Sequence, residues 1–172
     1  MWASRGILTG LVSLLPLMAV HAQAKDPCEL ESLLHQQRDE ATIQRLEASW
    51  NSAIAQGDAD FERCLLTADF REILASGELK TLADELGFTS KNKGQNRPPP
   101  KLPPITVLIH GNVAVAYAVW VPTAANRRPD QTADYFVWEN GVWHAFFSQA
   151  TPVADSSAKI SSATHYWPRL LL

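Results

Sequence analysis

The stretch from Gln131 to Ala150, QTADYFVWENGVWHAFFSQA, contains two runs of alternating residues on either side of Asn140-Gly141. Asn-Gly between such runs is a strong signal for a two-residue β-hairpin turn. This turn pairs Trp138 with Trp143, and directly paired residues share a face of the hairpin. The predicted face carries Thr132, Asp134, Phe136, Trp138, Trp143, Ala145, Phe147 and Gln149. A carboxylate among large aromatic side chains is unusual for a plain core, so this face is a candidate ligand-binding surface.

Further β-strands are predicted before this hairpin. Residues 105–110 and 113–121 are apolar and β-branched, and Gly111-Asn112 joins them in a turn. An earlier strand is predicted over residues 70–75, ending at the turn Ser76-Gly77.

Helices are predicted in the first half of the chain. The first runs from Asp26-Pro27 to Gly57, with an apolar stripe and a polar stretch, residues 35–40, that is either a solvated face or a bend. Asp58 caps a second helix, and a capping-box pattern opens a third over residues 81–86. Helices followed by a run of strands indicate an α+β domain.

The first 24 residues have the pattern of a signal peptide. Arg5 supplies a positive start, residues 7–20 are an apolar run too short for a membrane helix, and Ala22-Gln23-Ala24 is a small-residue cleavage site. The alternative is a buried N-terminal helix. We expect cleavage, a periplasmic or secreted location and no membrane association of the mature chain.

The domain is predicted to span residues 25–153, with a C-terminal tail over residues 154–172. Cys28 and Cys64 are the only cysteines, and in an exported protein such a pair favours a disulfide over two free buried thiols. The proline-rich stretch from Ser90 to Pro104 is too long for a simple connection, so it is either a flap or a crossover above an opening.

Charge and motif content exclude several kinds of partner. The 172 residues include 15 basic and 18 acidic ones, a formal net charge of −3, and Arg127-Arg128 is the only basic cluster. This balance argues against nucleic acid and anionic membranes. The histidines lack metal-ligand spacing, and no cofactor fingerprint is present, so we expect neither metal nor cofactor.

Several strings, in their order and spacing, resemble the nuclear transport factor 2-like superfamily, in particular its exported SnoaL-like members and the related domain of unknown function 4440. The resemblance covers about residues 40–153. It rests on Leu46–Asn51 with Gly57-Asp58, Leu66–Phe70, Gly111–Ala116, Thr132–Phe136 and Ser148–Val153. The resemblance implies a cone-shaped curved antiparallel sheet packed with the N-terminal helices around a pocket, often in a homodimer.

Only some of the catalytic residues of the related proteins have a counterpart in this sequence. In steroid-isomerase-like members a tyrosine and an acid hold an oxyanion while a carboxylate removes a proton. These positions fall on Trp50, Asp134 and Ala75 respectively, so the base is missing and isomerase activity is not supported. Asp134 is either a ligand-facing acid with a raised pKa or a carboxylate hydrogen-bonded within the core.

Different functions remain open at this point. We favour binding of a hydrophobic or aromatic small molecule in an apolar cone; an open cavity of about 300 Å³ or more favours this function, and a filled cone favours the interaction module. The alternatives are a dimerisation or protein-interaction module with a filled cone, and a SnoaL-like isomerase, cyclase or hydrolase with a different site; the sequence does not decide whether the chain is an enzyme. The predicted ligand-pocket residues are Trp50, Asp134, Phe136, Trp138, Trp143, Phe147 and Gln149.

Overall fold

The computed structural model describes Cys28, residues 33–121 and residues 128–154. The predicted signal peptide, the helix start at Asp26 and the C-terminal tail lie outside these residues. No helix in the described ranges is long and apolar enough to cross a membrane.

Three helices form, each with a capping side chain at its N-terminus. Helix α1 spans Glu40–Gln56, α2 spans Ala59–Leu65 and α3 spans Leu82–Ser90. The side chains of Asp39, Asp58 and Thr81 cap their N-termini by accepting hydrogen bonds from backbone N–H groups.

The first helix is shorter than predicted. Of the two alternatives for the polar stretch, a bend is present over residues 35–39, where His35 has a positive φ of 55° and Asp39 caps a new helix. Gly57 ends α1 in the left-handed conformation, as predicted, and a Cβ there would lie 2.2 Å from the backbone nitrogen of Lys93. Glycine is therefore required both by φ and by the close approach of the chain after α3.

Six strands form one sheet with the order β2-β1-β6-β5-β4-β3. The α+β fold class is confirmed, with one difference: β1 pairs with β6 in parallel, so the sheet is mixed, not wholly antiparallel. The strand bounds are β1 Leu66–Ile73, β2 Leu79–Thr81, β3 Thr106–His110, β4 Val113–Trp120, β5 Asp130–Glu139 and β6 Val142–Pro152.

The hairpin register is confirmed near its turn and fails beyond it. Trp138 pairs with Trp143, and Phe136 with Ala145. A β-bulge then shifts the pairing, so that Asp134 lies opposite Ser148, and not opposite Phe147. One extra residue in a strand moves every later side chain to the other face.

The core lies between the helices and one face of the sheet. Fully buried side chains from both layers meet there, and Trp50 of α1 packs edge-on against Phe70 of β1 with ring centroids 5.8 Å apart. The other members of this apolar cluster include Ile43, Leu46, Leu65, Ala114, Ala116, Phe136, Trp143 and Ala145.

The predicted disulfide is present. Cys28 and Cys64 are bonded with a Cα–Cα distance of 5.2 Å, and the bond ties the segment before α1 to α2 across a sequence separation of 36. The sequence had placed Cys28 inside the first helix; the bond instead fixes the chain ahead of that helix.

We expect a Cys28→Ser/Cys64→Ser variant to lose about 3–4 kcal/mol of unfolding free energy, because the cross-link restricts the unfolded chain. Urea denaturation of oxidised wild type, reduced wild type and the variant measures this. Reduced wild type should match the variant; a loss below about 1 kcal/mol would contradict the expectation.

Candidate functional site

A cavity of about 250 Å³ lies between the helices and the inner face of the sheet. It opens beside α1 and is bounded by the ends of β5 and β6 that lie far from the hairpin turn. It is lined by Glu47, Trp50, Asn51, Ile54, Glu72, Glu85, Trp120, Asp130, Thr132, Asp134, Ser148 and Ala150.

Glu47 of α1 is the most unusual wall residue. It lies three positions before Trp50 on the buried side of the helix and is 4 % exposed. Its Oε1 atom has no hydrogen-bond partner among the described residues. Burial raises the pKa of Glu47 well above its usual range, and the nearby Asp134 carboxyl raises it further.

Glu62 of α2 lies behind the cavity wall and is fully buried. Its Oε1 accepts a hydrogen bond of 3.0 Å from Trp50 Nε1. Burial raises the pKa of Glu62 to about 7, although this hydrogen bond favours the ionised form. Glu62 therefore orients the Trp50 ring at the cavity while adding a second titratable acid behind it.

Glu72 of β1 and Glu85 of α3 form a carboxyl pair in the wall. Burial raises the pKa of Glu85 to about 8, and the neighbouring Glu72 carboxyl adds to the effect. Burial also raises the pKa of Glu72, but a hydrogen bond from Glu85 and the charge of Lys80 oppose the rise. The hydrogen bond between the two carboxyls lowers the pKa of Glu72 and raises that of Glu85, so Glu85 is the partner that holds the proton.

Asp134 of β5 lies opposite Ser148 of β6 at the same cavity. Burial raises the pKa of Asp134 to about 7, while a hydrogen bond from the Ser148 hydroxyl opposes the rise and the Glu72 charge adds to it. Asp134 was expected either to face a ligand or to be hydrogen-bonded within the core. Its carboxyl has features of both, since it is hydrogen-bonded to Ser148 and lines an open cavity.

The structure brings only part of the predicted pocket together. Trp50 and Asp134 line the cavity. Phe136 and Trp143 are instead buried in the apolar core beyond the cavity wall. The bulge in β6 moves Phe147 and Gln149 to the outer face, where Phe147 contacts Tyr135 with ring centroids 5.7 Å apart.

Trp138 and Trp143, near the hairpin turn, do not line the cavity but contact each other and the segment before α1. Trp138 and Trp143 pack edge-on at 5.2 Å. Trp143 Nε1 donates to the Gln37 carbonyl at 3.0 Å, and the Arg38 guanidinium lies 5.6 Å from the Trp138 ring centroid. These two tryptophans therefore hold the segment before α1 against the hairpin.

Sequence reasoning missed the glutamates, although each gives a signal. Glu47 lies on the apolar stripe of α1 between Ile43 and Trp50, at helical spacing from both. Glu62 and Glu85 lie on the buried sides of α2 and α3 in the same way. A glutamate at a buried position of an amphipathic helix indicates a buried acid. When each of three helices carries such a glutamate, a group of buried acids is indicated.

Other features do not add to the site. The proline-rich stretch connects α3 to β3, and no residue of 91–104 lines the cavity. Two larger depressions, of about 330 and 390 Å³, are lined by none of the buried unpaired polar atoms of the described residues. The described residues contain no group of three His, Cys, Asp or Glu arranged to hold a metal ion.

Comparison with known proteins supports the fold. No family model and no curated protein matches the sequence. A nuclear transport factor 2-like protein from Cytophaga hutchinsonii is similar in structure, with 17% identity, a TM-score of 0.56, and coverage of 68% of this chain and 100% of that one. A nuclear transport factor 2-like protein with a cystatin-like fold from Novosphingobium aromaticivorans has 19% identity, a TM-score of 0.54, and coverage of 70% and 85%.

A nuclear transport factor 2-like superfamily protein from Salmonella enterica has 15% identity, a TM-score of 0.54, and coverage of 70% of this chain and 94% of that one. At such identities the similarity establishes the fold alone. The chain therefore has the nuclear transport factor 2-like fold that the resemblance implied, whereas the narrower link to domain of unknown function 4440 stays a prediction.

The buried acids predict how stability depends on pH. Their folded-state pKa values of about 7 to 8 lie above the ordinary values of 3.8 and 4.5, so between about pH 4.5 and 8 the folded protein holds more protons than the unfolded chain. Stability is then highest at acid pH and falls as the pH rises through this window. We expect a fall of at least about 2 kcal/mol between pH 5 and pH 8.5, measured by urea denaturation.

A Glu85→Gln variant should show a smaller fall, because it removes one of the titrating acids. Glu40→Gln, an exposed change in the first turn of α1, should keep the wild-type profile. An unfolding free energy that stays constant or rises from pH 5 to pH 8.5 would contradict the raised pKa values, because it would show that ionisation of these carboxyls does not destabilise the folded protein.

Proposed function

Within this nuclear transport factor 2-like fold, we propose that the chain binds a small organic molecule in the cavity between α1 and the sheet. The observation that carries the proposal is Glu47 Oε1, a buried carboxyl oxygen without a described partner on a residue that lines an open space. An unpaired buried polar atom costs about 1–3 kcal/mol, and a bound molecule with a matching donor relieves that cost.

The size and lining of the cavity define what fits. Its volume of about 250 Å³ falls short of the 300 Å³ expected for the open cone, so the ligand is small, of about one or two rings. The wall is also more polar than the apolar cone predicted from the sequence. Trp50, Trp120 and Ile54 form apolar parts of it, and carboxyl and hydroxyl groups form the rest.

The same groups provide acid–base chemistry to any bound molecule. Carboxyls whose pKa lies near 7 to 8, such as those of Asp134 and Glu85, can both hold and release a proton at neutral pH. The base position of the steroid-isomerase-like proteins falls on Ala75, which does not line the cavity, whereas Glu72 of the same region does. A reaction at this site would use Glu72, Glu85 or Asp134, and binding is the property to test first.

We expect native mass spectrometry of the mature, exported protein to reveal a small-molecule adduct. Glu47→Leu should lose the adduct, because Leu removes the acceptor and occupies part of the space. It should also unfold at a higher urea concentration than wild type, since a buried unpaired carboxyl is replaced by an apolar side chain.

Glu40→Gln on the exposed side of the same helix is the matched control and should retain the adduct. If wild type carries no adduct and also binds none of the small aromatic probes described below, the cavity is not a binding site.

The outer face of the sheet favours a second property, the homodimer implied by the resemblance. The three helices of the described residues lie on the inner face, and Tyr135, Phe146 and Phe147 form a half-buried aromatic group on the outer one. Exposed apolar side chains on the same sheet include Leu108, Val113 and Val119. A second copy of this chain has the same apolar face, and a two-fold symmetric dimer would bury the apolar faces of both copies against each other.

We expect wild type to sediment as a dimer at micromolar concentration and Tyr135→Lys to sediment as a monomer, because a charge at the centre of the apolar face opposes its burial. Phe88→Lys, at an exposed apolar position on α3, is the control and should stay dimeric. A monomeric wild type over the whole concentration range would exclude this homodimer.

A further inference from the structure

The charges around the cavity are all of one sign. The described residues that line it include Glu47, Glu72, Glu85, Asp130 and Asp134, and none of them is Lys, Arg or His. Lys80 acts on Glu72 from outside the lining and forms its own ion pair with Glu78 at 2.5 Å. Clustered buried carboxyls repel one another unless protons or a foreign cation neutralise them.

The unpaired polar atom of the cavity wall is a carboxyl oxygen, which accepts hydrogen bonds when Glu47 is ionised. Glu47 Oε1 is buried and lacks a described partner, so once Glu47 is ionised this oxygen requires a hydrogen-bond donor. Ser148 and Asn51 have donors, but the Ser148 hydroxyl already bonds Asp134 and the Asn51 amide nitrogen donates to the Glu47 backbone carbonyl at 2.9 Å. A ligand group with several donors and no acceptor matches this wall, and an ammonium group is of that kind.

The aromatic part of the wall also suits a cation. The indole N–H of Trp50 donates to Glu62 at 3.0 Å, and that of Trp120 donates to Thr132 Oγ1 at 3.1 Å. Both polar edges are thereby used within the protein, so a ligand meets these residues through their rings. Tryptophan rings attract cations and also pack against apolar groups.

Resting on the proposed function, we infer that the ligand is an organic amine, a protonated amino group attached to a small aromatic or cyclic body. The ammonium donates to Glu47 and Asp134 and supplies the positive charge that the lining residues lack. The apolar body packs against Trp50, Trp120 and Ile54. An organic anion brings a further negative charge to a wall of acids without a basic lining residue, and a neutral molecule of the same shape forms no charge-assisted hydrogen bond with them.

Binding of an ammonium group should release protons from the buried carboxyls. In the free protein, protons on Glu47, Glu85 and Asp134 provide the neutralisation that burial demands. A bound cation favours the ionised carboxyls, so it lowers their pKa values and displaces protons into solution. Amine binding should therefore release on the order of one proton at neutral pH and weaken as the pH falls toward 5.

Isothermal titration calorimetry with three matched probes tests the inference: phenethylamine, 2-phenylethanol and phenylacetate. At pH 7.5 we expect phenethylamine to bind at least about tenfold more tightly than 2-phenylethanol, with no binding of phenylacetate, because a charge-assisted hydrogen bond is stronger than a neutral one. Repeating the titration in phosphate and in Tris buffer measures the released protons. Glu47→Gln and Asp134→Asn should lose the preference for the amine but keep the weak binding of 2-phenylethanol, while Glu40→Gln keeps both.

The possible results separate this inference from the proposed function. If 2-phenylethanol or phenylacetate binds as tightly as phenethylamine, the cavity is a binding site but the amine inference is wrong. If millimolar Ca²⁺ or Mg²⁺ binds and displaces phenethylamine, the carboxyls serve a metal ion and the inference is again wrong. If no probe binds and the purified protein carries no adduct, both the inference and the proposed function fail.

Discussion

The folded domain has to hold carboxyl groups from all three helices and from the sheet around one small cavity. Glu47, Glu62 and Glu85 each lie on the buried side of a helix, and Glu72 and Asp134 face them from β1 and β5. Ionised carboxyls in such surroundings are destabilising unless a positive charge or hydrogen bonds compensate for the lost water. Neutralisation of this cluster, by protons or by a bound cation, is therefore a condition for the packing of the helices onto the sheet.

The apolar core and the segment before α1 confine the carboxyl groups to one end of the inner face. Buried apolar side chains, among them Ile43, Phe136 and Trp143, pack together on the side toward the hairpin turn. The disulfide from Cys28 and the contact of Arg38 with Trp138 fix the chain ahead of α1 at that end. The cavity is consequently confined to the opposite end of the inner face, where the acids are grouped around Trp50.

Local signals predicted the elements better than the site. The Asn140-Gly141 turn, the caps at Asp58 and Thr81 and the end of α1 at Gly57 each depend on neighbouring residues, so the sequence alone predicts them. The β6 bulge depends on how the strand curves around the core, and no turn or proline marks it; it reversed the faces of Phe147 and Gln149 and introduced Ser148 into the cavity. The pairing of Glu72 with Glu85 joins a strand to a helix and likewise follows from tertiary packing alone.

An acid on the apolar stripe of a helix needs an explanation that packing does not supply. Leucine at the position of Glu47 would fill the same space, remove an unpaired acceptor and strengthen the core. The free domain is therefore less stable than its shape allows, and the deficit is concentrated in the cavity wall. A ligand that neutralises these acids gains the free energy that folding alone leaves unrealised, and it stabilises the folded state in proportion to that gain. The gain is larger at neutral pH than at acid pH, because at acid pH protons already neutralise the same groups.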